Sequence, residues 1–327
     1  MVGRRVGWWA LLLVAGVGSG SPASAQLVFE VVGERALGMA GAFVAVADDA
    51  TAVHWNPAGL VSGPAVGMTV GWHQFQFGNQ EAPPGGGYRQ GQSTLTSLGS
   101  LPVGVSYGTT RRSRLSEGPD GQLIGESLRV GQIGVTVLQS LLDGLVVGST
   151  LKLVRGSVGA GPVDGPTAGD ALDRTADLET DDQTTFDLDV GVMASTSKFR
   201  LGLTMKNLRS AEVGAIAGNV ISLPRQARAG VAVLPTDGLT LAMDLDLNTV
   251  DLMGDLRRVL AAGGEMALGS RVQVRSGVRW NLADDRRVTG AFGASVSVHR
   301  GFWVDAHYGL GRTDESREFG VALRAGF

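Results

Sequence analysis

Asp305 and His307 stand two residues apart, and in an extended chain residues at i and i+2 share a face. An aspartate that orients an imidazole suits general-base chemistry if a nucleophile lies within reach. The nearest candidates, Ser295 and Ser297, fall with that pair beside a short turn at 299–301. No Gly-x-Ser-x-Gly elbow and no zinc motif occurs, so catalysis is not expected. The stretch carrying Asp164, Asp170, Asp173, Asp177, Glu179, Asp181 and Asp182 could gather a cation. It lacks the spacing of a calcium loop and reads as a solvated acidic loop, so no metal and no cofactor is expected. Two other groups suit non-covalent binding of apolar compounds. Phe43, Trp55, Asn56 and Pro57 could line an inner passage, although Trp55 also suits packing and Asn56 suits backbone hydrogen bonding. Ile216, Ile221, Leu252 and Met253 lie in two unusually apolar stretches, 209–224 and 249–258, and could form a capture groove. Equally, those residues could extend neighbouring strands or pack on one another.

The elements that would position these residues are strands. The chain has 327 residues, 50 glycines, no cysteine and a formal net charge of -3. No nucleic-acid partner is expected from that charge, and disulfides and thiolate metal sites are excluded. Residues 1–25 read as a signal peptide, with Arg4 and Arg5, an apolar run from Val6 to Val17, and Ala23-Ser24-Ala25 before the cleavage point. After it no apolar run is long enough for a spanning helix. Apolar residues instead alternate with polar ones. Phe186, Leu188, Val190, Val192 and Ala194 oppose Asp187, Asp189, Gly191, Met193 and Ser195. Leu239, Leu241, Met243, Leu245 and Leu247 oppose Thr240, Asp244, Asp246 and Asn248. Such runs are about ten residues long, as tilted membrane strands require, and about twice the usual soluble strand. Tight turns alternate with longer loops near 111–126, 157–183, 209–224, 249–258, 281–287 and 312–317. The expected fold is all-β: a transmembrane antiparallel β-barrel of about 14 strands over 64–327, with both ends on one rim. A bulge is expected near Gly131-Gln132. Opposite charges on adjacent inward faces predict a mixed wall without strong charge selectivity.

A lumen of that width must be filled. Residues 26–63 precede the barrel and read as an N-terminal hatch. Small residues in 33–47 permit close approach to the wall. Asp48 or Asp49 could cap a short helix over 50–55, and Asn56 before Pro57 ends it.

The run GERALGMAGAFVAVADDATAVHWNPAGL resembles the N-terminal signature of FadL-type outer-membrane transporters and the related PorV/PorQ group. The matching residues are Met39-Ala40-Gly41-Ala42, Asp48-Asp49 and Asn56-Pro57-Ala58-Gly59-Leu60, with Ala40 where the family often has glycine. The resemblance implies a 14-stranded barrel in the bacterial outer membrane, in contact with its lipid. It implies passive uptake of hydrophobic small molecules, fatty-acid or hydrocarbon-like, past the hatch. For PorV-like members it implies instead a scaffold or secretion partner. The terminal Phe327, on a face with Phe319, Val321, Leu323 and Ala325, resembles the signal read by the barrel-assembly machinery.

Overall fold

The computed structural model describes residues 29, 32–216, 219–252, 255–283, 287–312 and 316–327. The signal-peptide expectation lies outside them. Alternation along the chain produces β1 (Val66–Phe77), β2 (Arg89–Ser100), β3 (Val103–Glu117), β4 (Leu123–Leu142), β5 (Leu145–Pro162), β6 (Asp181–Ser195) and β7 (Phe199–Lys206). A small hairpin follows, β8 (Glu212–Ile216) with β9 (Asn219–Ser222), then β10 (Gln226–Thr236) and β11 (Leu239–Asp246). A second hairpin, β12 (Val250–Leu252) with β13 (Asp255–Arg257), precedes β14 (Val259–Leu268), β15 (Val272–Asn281), β16 (Val288–His299), β17 (Phe302–Gly311) and β18 (Arg317–Gly326). Leaving aside the two hairpins, the strands form one closed antiparallel barrel in which β1 pairs with both β2 and β18. Val66 and Phe327 exchange backbone hydrogen bonds of 2.9 and 3.1 Å, so both barrel ends share one rim, here the turn rim. The opposite, loop rim carries the longer connections. Among the described residues no helix is long and apolar enough to cross a membrane.

One face of each strand is greasy and uncovered. Tyr107, Ile133, Leu151, Phe186, Phe292 and Leu323 are each more than half exposed, which suits contact with lipid. The other face is buried and largely polar. Lys152 pairs with Asp189 at 2.7 Å, Arg228 with Asp246 at 2.6 Å, and Arg279 with Glu318 at 2.5 Å. Other wall cations reach the N-terminal segment: Arg200 bonds Asp48 and Lys206 meets the His54 ring.

The bulge expected at Gly131-Gln132 is absent, since β3–β4 and β4–β5 keep register through both residues. The sheet's irregularity there lies between Ser140 and Leu142. The apparent break has another cause. Toward the loop rim the inward side of β4 is apolar, with Leu128 and Val130, because the β8–β9 hairpin folds into the lumen. Leu128, Val130, Val154 and Val158 pack there against Ala211, Val213, Ile221 and Leu223. Polarity reverses across β4 while the backbone stays regular.

The segment before β1 fills the interior. It holds α1 (Glu34–Gly38), α2 (Ala52–Trp55) and a 3₁₀ turn, Pro57–Ser62. From Ala36 to Leu60 nearly every side chain is buried, around a core of Leu37, Phe43, Val46 and Trp55. The wall accommodates it through inward glycines on strands around the circumference. Cβ atoms built at Gly263 and Gly277 would stand 2.5 Å from backbone atoms of Met39, and one at Gly202 would stand 2.5 Å from Val44 O. At Gly148 and Gly191 the obstacles are Pro57 and Asn56, 2.4 and 2.1 Å away. Gly71 and Gly320 make room for the Glu34 carboxyl. The two walls therefore meet backbone to backbone, closer than any side chain allows.

Candidate permeation site

Two regions have geometry beyond a packed barrel: the seam between the N-terminal segment and the wall, and the space above it at the loop rim.

The seam is held by a buried charge network. Arg35, on α1, donates to both oxygens of Glu265 at 2.7 Å, to Asp48 at 2.5 Å and to Asp49 at 3.2 Å. Arg275 reaches the same Glu265 at 2.5 Å, and Arg200 bonds Asp48 at 3.1 Å. Asp244 accepts from the backbone N–H groups of Phe43 and Val44, both at 2.8 Å. Asp48 caps no helix; its carboxylate is spent on Arg35 and Arg200. Asp49 caps none either: it accepts from Thr51 N at 2.8 Å in the turn before α2, whose N-cap is Thr51 with no side-chain cap hydrogen bond. Glu34 is different. Its oxygens have no hydrogen-bond partner among the described residues, and burial pushes its carboxyl up to about 8.

Of the residues singled out in this segment, Phe43 and Trp55 pack together with ring centroids 5.9 Å apart, and Trp55 Nε1 donates to Val32 O at 3.1 Å. Asn56 joins segment to wall. Its Nδ2 donates to Val44 O at 2.9 Å and to Val192 O at 3.1 Å, and its Oδ1 accepts from Ala58 N at 3.2 Å. Pro57 opens the 3₁₀ turn and rests against the wall at Gly148. These four residues sit inside packing and line no open space. Replacing Asn56 by Ala strips partners from buried backbone groups, at about 1–3 kcal/mol for each group left unpaired. Hydrogen exchange at residues 36–60 is expected to accelerate in Asn56→Ala while the barrel strands stay protected. Equal protection in both proteins would show that these contacts hold nothing.

The apolar outer-loop residues separate. Ile221 is buried on the inner wall, and Ile216 packs partly against the same cluster. Met253 and the side chain of Leu252 lie outside the described residues.

An unforeseen cavity opens at the loop rim. The apolar part of its lining is Phe75, Phe77, Leu256 and Val259; the charged part is Arg89, Arg112, Arg114, Arg257, Arg279, Arg287 and Glu318. Strand register builds it. Phe77, Arg89 and Arg114 form one inward row across β1, β2 and β3, and Phe75, Gly91 and Arg112 the next. Gly91 leaves room for the Phe75 ring, which a Cβ there would meet at 2.4 Å. Arg112 stands over that ring at 4.9 Å and Arg89 over Phe77 at 6.0 Å. This corrects the expectation of an evenly mixed wall: acid and base alternate around the N-terminal segment, whereas the loop-rim lining is predominantly cationic. Sequence reading missed it because β3 was expected to end at 110, which consigned Arg112 and Arg114 to a loop. The available signal was that both continue the inward parity of Gly104, Gly108 and Thr110.

The Asp305–His307 pair is not arranged as a dyad. Asp305 bonds Ser295 and Arg324, and the His307 ring stacks on His73 at 5.1 Å, its nitrogens without hydrogen-bond partners.

The fold and its internal segment define a class: a closed fourteen-stranded antiparallel β-barrel, its lumen occupied by the chain's own N-terminal region. Solved structures similar to it include CymD, a monoaromatic hydrocarbon channel, at TM-score 0.65 and 16% identity over 91% of this chain and 98% of that one. The Pseudomonas putida toluene transporter TodX is similar at TM-score 0.62 and 12% identity, over 93% and 98% of the two chains. A Pseudomonas aeruginosa FadL homologue is similar at TM-score 0.64 and 12% identity, over 93% and 100%. At such identities the likeness is one of fold. Residues 125–246 also match the family model described as "F plasmid transfer operon, TraF, protein". No curated protein matches the sequence.

Proposed function

We propose that this protein is a passive, non-catalytic outer-membrane channel for hydrophobic small molecules, and that its N-terminal segment acts as the hatch. The observation that carries this reading is the loop-rim cavity, apolar and arginine-lined, above a lumen packed by residues 36–60. In this reading the turn rim faces the periplasm and the loop rim faces outside. Phe75, Phe77, Leu256 and Val259 receive the apolar body of a ligand. The arginines favour a compound with an anionic head, so a fatty-acid-like ligand suits the cavity better than a plain hydrocarbon. The ligand then passes when the segment shifts from the wall. The resemblance to channels and a transporter supports this reading, and none of the three structures compared is described as a scaffold.

The test is entry of a fluorescent long-chain carboxylate and of a neutral aromatic hydrocarbon into proteoliposomes. Protein-containing vesicles are expected to admit both faster than empty ones. Arg112→Ala is expected to weaken carboxylate binding by about tenfold, the worth of one charge-assisted hydrogen bond, with little effect on the hydrocarbon. Entry no faster than through empty vesicles would overturn the proposal.

A further inference from the structure

The outward face of β3, β4 and β5 bears arginines just beyond the apolar belt, toward the loop rim. Arg111 lies two outward positions past Tyr107, Arg129 two past Ile133, and Arg155 one past Leu153. Arg111 and Arg129 are direct cross-strand partners. Like charges so placed are destabilising unless something lies between them. Neither makes a hydrogen bond or ion pair among the described residues, although Asp173 and Asp177 exert an attraction on Arg111. Arg155, a diagonal step away, bonds Asp182 at 3.2 Å.

An overhang closes this patch from above. The β5–β6 connection forms α3 (Ala168–Arg174), whose Ala168, Ala171 and Leu172 pack on the outward Leu115. Thr175 Oγ1 donates to Ser113 Oγ at 2.6 Å, and Gln90 Nε2 donates to Asp173 at 2.8 Å. Wall and overhang form an open outward pocket lined by Gln74, Gln90, Gln92, Arg111, Ser113 and Asp173. Arg111, three amides, a hydroxyl and a carboxylate thus meet in the pocket, with Arg129 on the next strand, two outward positions above exposed Tyr107 and Ile133.

We propose that this is the seat of a phosphorylated glycolipid of the outer leaflet. A phosphate placed between Arg111 and Arg129 turns their repulsion into two charge-assisted hydrogen bonds. The glutamines, Ser113 and Asp173 suit sugar hydroxyls, and the acyl chains lie down the belt over Tyr107 and Ile133. A free phosphate would satisfy the arginines and leave the amide-lined cavity and the belt unused. The assignment rests on the outer-membrane reading above.

Native mass spectrometry of the barrel released from nanodiscs made with lipid A or with its dephosphorylated form tests it. The intact protein is expected to retain phosphorylated lipid A and to lose the dephosphorylated form. Arg111→Gln with Arg129→Gln is expected to reduce retention by about tenfold or more, whereas Arg271→Gln, at the turn rim, retains it fully. Inorganic phosphate in millimolar excess should not displace the lipid. Equal retention by the double variant and the intact protein, both inserted and folded, would overturn the site alone. Displacement by inorganic phosphate would reduce it to an anion site and overturn the glycolipid assignment. Failure of the intact protein to insert into nanodiscs would overturn the membrane reading with it.

Discussion

Gly263→Val combined with Gly277→Val is expected to leave a folded barrel that conducts ions freely. Valine suits a strand, so the sheet tolerates it. Its Cβ, however, would arrive 2.5 Å from the Met39 backbone at both positions, and backbone cannot rotate aside as a side chain can. Overpacking costs about 1–3 kcal/mol, and more where the obstacle cannot yield. A bias of about 3 kcal/mol raises the unseated population by more than about a hundredfold. The two substitutions press on one residue, so their effects will not add simply. Single-channel recording in planar bilayers measures the result. A quiet trace from an inserted double variant would mean that the segment tolerates displacement without opening a path.

The second large effect is expected at Arg35. Replacing it with Met removes the cation shared by Asp48, Asp49 and Glu265. Breaking one side of a buried ion pair costs about 3–5 kcal/mol, because the remaining charges stay dehydrated. Arg275 and Arg200 still serve Glu265 and Asp48, which leaves Asp49 the most exposed to the loss. The segment should become cleavable by protease at temperatures where the barrel is still folded. Adding Asp49→Asn should restore part of the lost protection, and the double-mutant cycle isolates the pair's coupling. Because the pair is buried, added salt should change the outcome little. Simple additivity of the two substitutions would show that the contact carries no coupling.

Much of this architecture was legible because lipid imposes a rigid code on the outward face. Leu239 to Leu247 and Phe319 to Phe327 each expose one parity, and the strands form there as expected. The code fails where barrel meets its own loops instead of lipid and water. The outer half of β4 looked irregular because the β8–β9 hairpin made its inside apolar. Leu115, outward yet buried, is covered by α3 and gave no sign of it. Loop ends were misplaced for the same reason: β3 and β4 run on to Glu117 and from Leu123, leaving a short connection where 111–126 had suggested a long one. That Asn56 serves backbone groups could be read from its residue type and the proline after it. Its bond to Val192, 136 residues away, could not, since it depends on which strand faces the segment. The loop-rim cavity needed the three-strand register that stacks Phe77, Arg89 and Arg114.

The clearance between the inner segment and the staves around it bears on assembly. At Gly148, Gly202, Gly263 and Gly277 a glycine Cα hydrogen is the only spacing, so a finished cylinder offers a late guest little slack there. The guest is made first, since it precedes every stave in the chain. Staves that gather around it, as planks around a former, avoid that fit being made late, and the joint between the first and last of them lies where Glu34 meets Gly71 and Gly320.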